Sequence, residues 1–239
     1  MMKWGLAVTA ILIVTQIIIG DINGKHMYTY QPAKFAAIEA RWQPEHPGRQ
    51  LWFAIPDEKN ERNLFEITTP YLGSWFATGS WSAPVSGLSD FPKQDHPPVL
   101  IVFFAFRAMV GIGLFMLGIS LLGLFLLARG GLEASRWFLW ASCLAFPSGF
   151  LAVLLGWFTT EIGRQPWVVY GLLRTSDTLT PTLTGANVLT TLIGYAIVYS
   201  VIFFPGAFSV YGLLLQGPTG AEAHITADAV TAGTTKAKE

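Results

Sequence analysis

Among its 239 residues the chain has a single cysteine, Cys143, and it lies inside an apolar run. That excludes a disulfide framework and a thiolate metal cage, leaving imidazole, carboxylate or thioether as the possible ligands of any metal. The four histidines, His26, His46, His96 and His224, all fall outside the long apolar runs. No histidine-ligated haem buried between this chain's own helices is therefore expected. Charge is scarce as well: 13% of residues are charged, 15 basic against 15 acidic, so nothing points electrostatically to nucleic acid. What is abundant is hydrocarbon. A hydrophobic fraction of 52% marks a membrane protein rather than a soluble domain.

Four apolar runs are long enough to cross roughly 30 Å of hydrocarbon: Trp4–Gly20, Val99–Ala128, Trp137–Phe158 and Val188–Leu215. The first follows Lys3 like a secretory signal. It ends in Ile17-Ile18-Ile19-Gly20-Asp21 without a small-residue cleavage site, so it reads as a retained helix. Asp21–Pro98 forms a long connection with nine of the 14 prolines and four tryptophans, Trp42, Trp52, Trp75 and Trp81. A connection of that length is more often functional than passive. Within it, Ile67–Ala77 is apolar but short and interrupted by Gly73 and Ser74, which suits a re-entrant or interfacial segment. Arg129 and Arg136 in one short connection, with Lys3, Lys236 and Lys238 near the ends, place both termini in the cytoplasm and the long loop outside. The fold class is all-α: a multi-pass transmembrane bundle of about four spans with a long extracytoplasmic loop.

Three segments gather groups able to do chemistry. The third run ends Gly156-Trp157-Phe158-Thr159-Thr160-Glu161-Ile162-Gly163-Arg164-Gln165-Pro166-Trp167. On a helix, Trp157, Glu161 and Arg164 share one face, and Pro166 cannot extend it. Glu161 reads either as an interfacial salt bridge with Arg164 or as a carboxylate ligand of a high-spin haem iron. Trp157 reads either as an aromatic-belt anchor or as a ring between two cofactors. The second run contains Phe106-Arg107-Ala108-Met109-Val110-Gly111. Arg107 lies about two turns into hydrocarbon, where an unpaired charge costs roughly 2.5–3.5 kcal/mol. It either snorkels to the interface or grips an anion such as a propionate. Met109 is either lipid-facing filler or a thioether ligand of low-spin iron. The long loop opens with Gln31-Pro32-Ala33-Lys34-Phe35-Ala36-Ala37-Ile38-Glu39, a short surface helix begun by its proline. Its Lys34 and Glu39 either form a solvated charged face or flank a polar headgroup whose proton Glu39 accepts.

Taken in order, these segments resemble the C-terminal half of subunit I of the cytochrome bd-type quinol oxidases. The likeness rests on Gly20-Asp21, Gln31–Glu39, Asn63-Leu-Phe-Glu66, Pro84–Phe91, Phe106–Gly111, Gly163–Trp167 and Gly217-Pro218. The Gly-Arg-Gln-Pro-Trp signature, two residues after Glu161, is the most specific of them. The resemblance implies that Met109 is an axial ligand of the low-spin haem b and Glu161 that of the high-spin haem b. It implies that Arg107 and Arg164 stabilise propionates or haem charge, and that Trp157 lies between the two b haems. Lys34 and Glu39 match the quinol-oxidising loop residues. Electrons would pass from quinol through the b haems to haem d, where oxygen becomes water, with protons released outside. The compact loop matches the short, cyanide-insensitive type.

The divisions implied are a transmembrane helix at 1–20, a quinol-binding loop at 21–98, haem-binding helices at 99–215 and a disordered cytoplasmic tail at 216–239. Family members carry further helices before Gly20, with the histidine partner of Met109 and the histidine that ligates haem d. The expected partners are therefore an N-terminal half of subunit I, oxidase subunit II and lipid, in a bacterial inner membrane. The competing reading is a non-catalytic haem-b or quinone-binding anchor, or a truncated remnant. A transporter is disfavoured because no inverted repeat or pair of broken helices is visible.

Overall fold

The computed structural model describes residues 2–132, 134–178, 180 and 182–216. The expected tail and the Gly217-Pro218 pair lie outside these, apart from Gln216. Two units are distinguished, one through Thr178 and one from Leu179 onward.

In the first unit, α1 (Met2–Tyr30) and α4 (Val99–Ala128) are long apolar helices. α5 (Arg136–Leu144) and α6 (Ser148–Ile162) share a third apolar stretch, Arg136–Ile162. The second unit holds α7 (Gly185–Gln216), with Pro205 inside it. Among the described residues, four helical stretches are thus long and apolar enough to cross a membrane. The chain is mostly helical, and α4 packs along both α1 and α6. Apolar side chains such as Ile11, Leu12, Phe115 and Leu121 stay exposed on α1 and α4. Hydrocarbon surroundings make that favourable where water would not.

Three features differ from the sequence expectation. α1 continues ten residues beyond Gly20, because Asp21 and Lys25 pair at 2.6 Å one turn apart and carry the helix through its polar end. The third span is broken. Pro147 has no N–H to offer, and the ladder tightens into Phe146 N–H to Cys143 O and Ser148 N–H to Ala145 O before α6 begins. The long connection is not all helix and loop, because it contains an antiparallel hairpin. Its strands β1 (Gln50–Asp57) and β2 (Arg62–Thr69) run from Gln50 opposite Thr69 to Asp57 opposite Arg62. Asn60 closes the turn by donating its backbone N–H and side-chain amide to Asp57. The Ile67–Ala77 segment is accordingly not one element. It is divided between the end of β2 and the short helix α3 (Leu72–Thr78).

A buried core forms between this connection and the start of α4. α2 (Pro32–Ile38) starts on a proline that pre-sets the first helical φ, and Ala33, Ala36 and Ala37 favour the helix. The same alanines are 0–1% exposed, and their small side chains let α2 press against α4 and the hairpin. Ala36, Ala37, Trp42, Leu51, Val99 and Phe103 form one buried cluster. Burying a ring such as Phe103 contributes about 1.5–3 kcal/mol. α2 is therefore a buried helix, not the surface helix its charges suggested.

Candidate functional site

α2 carries Lys34 and, at its C-terminal cap, Glu39. Both are nearly buried, at 9% and 7% exposure, so neither belongs to a solvated face. They point to different partners. The Lys34 ammonium donates to Thr160 O at 3.1 Å. That carbonyl belongs to the last turn of α6, where backbone acceptors lack helical donors and a cation is favoured. Gly163 makes the approach possible. A Cβ there would stand 3.2 Å from both Lys34 Cε and Val102 Cγ1. Burial, with Arg164 adding to it, holds the Lys34 ammonium below its ordinary value of 10.5, and Glu161 pulls the other way.

Glu39 Oε2 accepts from Gln50 Nε2 at 2.7 Å and from Arg107 Nη2 at 3.2 Å. Arg107 is closed in by protein. Its Nη1 donates to Ile38 O at 2.7 Å, its Nε to Trp52 O at 3.1 Å, and its Nη2 also to Leu51 O. The guanidinium lies 3.5 Å from the centre of the Phe103 ring. The anion that Arg107 requires in hydrocarbon is thus Glu39, with backbone carbonyls of α2 and β1 beside it. This side chain fastens the loop to α4.

Glu161 and Arg164 pair at 3.2 Å, with both side chains close to half exposed. α6 ends at Ile162, so Arg164 reaches Glu161 from the turn that follows rather than from the helix. In that turn Gln165 N–H bonds to Ile162 O and Trp167 N–H to Arg164 O. Trp157, one turn before Glu161, is exposed and tilted against Phe158. Met109 faces α6: a Cβ on Gly156 would lie 2.9 Å from its Sδ. Along α6 the level of that contact is about 7.5 Å from Glu161. Gly111 and Gly113 have open space where side chains would project. Among the described residues no three or more His, Cys, Asp or Glu side chains cluster as a metal site.

The fold therefore brings Lys34 to the end of α6 that carries Glu161 and precedes Arg164, and Glu39 to Arg107. Met109 and Trp157 stand at the α4–α6 contact and on α6. Sequence reading missed Gln50 and Arg41. Gln50 sits in a strand that was not foreseen, and Arg41 reads like any surface arginine beside an acid. In fact Arg41 is 5% exposed and donates to Arg49 O at 2.8 Å.

Residues 1–218 match the family described as cytochrome bd terminal oxidase subunit I. The chain is 36% identical over 215 residues to a cytochrome bd ubiquinol oxidase subunit 1 of Bacillus subtilis, covering 85% of this chain and 45% of that protein. A putative cytochrome bd menaquinol oxidase subunit I of the same organism is 31% identical over 198 residues, 82% of this chain and 43% of that protein. The structure of bd oxidase from Geobacillus thermodenitrificans aligns with a TM-score of 0.76 at 27% identity, covering 90% of this chain and 49% of that one. The chain spans about half the length of the relatives it matches.

Proposed function

The chain belongs to the cytochrome bd terminal oxidase subunit I family, and from that premise we propose that it forms part of a membrane-bound quinol:oxygen oxidoreductase. The observation that carries this reading is the seating of α2. One helix fastens Lys34 to the last turn of α6, at the Thr160 carbonyl next to Glu161, and Glu39 to Arg107 of α4. A substrate oxidised beside α2 is then adjacent to the residues that would hold its electron acceptor.

The family implies haem, and the residues fit it. Glu161 presents Oε2 without a protein donor among the described residues, and Met109 presents a soft thioether. In this reading Glu161 would hold the iron of the high-spin haem b and Met109 that of the low-spin haem b. Arg164 balances charge beside Glu161, while Arg107 acts on the cofactor's surroundings through Glu39 and the loop. Trp157, exposed on α6 one turn before Glu161, would serve electron transfer between the two b haems. When bound, the b haems and haem d supply one-electron carriers and the site of oxygen reduction.

The chain's own side chains handle the quinol. Oxidation releases two protons and two electrons. Lys34 spends one of its three donors on Thr160 O and keeps two for a quinol oxygen. Glu39 is fixed through Oε2 and accepts a proton on Oε1. Protons leave on the outer face of a bacterial inner membrane and contribute to the gradient. The partners of this reading are an N-terminal half of subunit I, oxidase subunit II and lipid.

The test is the assembled oxidase carrying Glu39→Gln. Turnover with quinol is expected to fall by about 10²-fold or more, while oxidation of the chemically pre-reduced enzyme by oxygen stays intact. Equal loss in both reactions would contradict the assignment. Haem binding without any quinol oxidation in the unsubstituted assembly would favour a non-catalytic anchor.

A further inference from the structure

Glu39 is too buried to hand a proton directly to bulk water, yet a base must be emptied before it works again. Between α2 and the hairpin lies a small cavity of about 20 Å³, lined by Glu39, Arg41, Glu45, Asn63, Glu66 and Thr68. That is room for one water, which also needs two to four polar partners. Two lining residues have groups with no protein partner. Glu39 takes both its hydrogen bonds on Oε2, leaving Oε1 free among the described residues. Arg41 Nη1 is buried with no hydrogen bond. Burial lowers the Arg41 guanidinium's proton affinity, and Glu39 is the first of the charges that oppose this.

We propose that this cavity holds a structural water bound by Glu39 and Arg41, and that the water and Glu66 form the outlet through which protons leave Glu39. The role as an outlet rests on the reading of Glu39 as the quinol base. Glu45 is committed to Arg49, receiving its guanidinium on Oε1 at 2.8 Å and its backbone N–H on Oε2 at 2.7 Å. Glu66 uses only Oε2, toward Arg49 at 3.3 Å, and its side chain is 31% exposed. It is the one lining acid with both a free oxygen and access to solvent. The water takes the proton of the Glu39 carboxyl as it gives one of its own to Glu66. Glu39 returns to carboxylate, one proton moves outward, and no electron moves. The fixed charge of Arg41 keeps an excess proton from resting on the water, so the two transfers are concerted.

Two substitutions test the outlet in the assembled oxidase sealed in vesicles. Glu66→Gln removes the terminal acceptor, and Thr68→Leu fills the cavity from β2 while leaving Gln50 and Arg107, which hold Glu39, unsubstituted. Each is expected to slow quinol turnover and outward proton release roughly tenfold and to raise the solvent deuterium isotope effect. KM for quinol and the oxygen reaction of pre-reduced enzyme should not change. Rates and isotope effects equal to the unsubstituted protein in Glu66→Gln would overturn the outlet, even if Thr68→Leu fails to fold. The water has its own readout. A high-resolution map of the unsubstituted assembly should show density within hydrogen-bond distance of Arg41 Nη1, and a dry cavity overturns the proposal whatever the turnover. If the density is present but the assembly oxidises no quinol, the water site stands and the proposed function fails, taking the outlet role with it.

Discussion

Glu39 and Arg107 stand 68 residues apart in the chain and meet at 3.2 Å, one at the cap of a seven-residue loop helix and the other two turns into a membrane span. Their side chains are 8% and 16% exposed, so each charge depends on the other for its solvation. Removing one partner of such a pair leaves an uncompensated charge, a loss of about 3–5 kcal/mol. Arg107→Ala should therefore lower the thermal unfolding midpoint of the purified assembly more than Glu39→Gln, which keeps the shape and a hydrogen-bond acceptor. Equal midpoints would mean the pair is solvated by something other than each other.

Phe103 is fully buried beneath the same guanidinium and in the α2–hairpin core. Phe103→Ala should cost about 3–5 kcal/mol by opening a cavity. The same change should make the loop susceptible to limited proteolysis before the spans are affected. Unfolding in which loop and spans lose structure together would argue against the loop as a separately cooperative unit.

Lys34 gives stability a pH dependence. The unfolded chain keeps this proton up to about 10.5, whereas the folded chain releases it at lower pH because the ammonium is buried beside Arg164. Between those two values the unfolded state binds more protons, so stability rises with pH across the window. Below the folded value, the cost of burying the ammonium is fully present. Lys34→Met should flatten the rise, as read from unfolding midpoints measured between neutral and alkaline pH. A slope unchanged by the substitution would assign the rise to another group.

The haem assignments separate by spectrum. Glu161→Ala in the assembled oxidase should remove the high-spin haem b signal, whereas Met109→Leu should lower the potential or occupancy of the low-spin haem b. Gly156→Ala is a milder probe. Its new methyl would sit 2.9 Å from the Met109 sulfur, so the flexible thioether must shift. It should move the low-spin signal and leave the high-spin signal in place. An optical spectrum untouched by Glu161→Ala would remove Glu161 from the iron.

The spans were legible because hydrocarbon imposes a simple rule of length and polarity, and α4 and α7 obey it. The break at Pro147 was equally available, since a proline inside an apolar run removes a donor wherever it falls. The loop was harder to read. β1 and β2 carry exposed apolar residues such as Phe53 and Ile67 on a two-stranded ribbon, so the in–out alternation that marks a half-buried strand is missing. The acids and bases of the site were visible as residue types in an order that resembles a family. Their pairing was not. Nothing in the spacing of Glu39 and Arg107, or of Lys34 and Thr160, distinguishes a contact made through space from any other.

The two grips of α2 lie five residues apart, which on a helix means about 7.5 Å of rise and about 140° of turn. Lys34 is held by the end of α6 and Glu39 by the flank of α4. The segment thus acts as a gauge block between two membrane helices. One inserted residue would rotate Glu39 by about 100° and advance it by about 1.5 Å, so both grips could not close together. Between these positions the length of the chain is constrained as tightly as its chemistry. Alanines here are exchangeable for other small residues in a way that a change in their number is not.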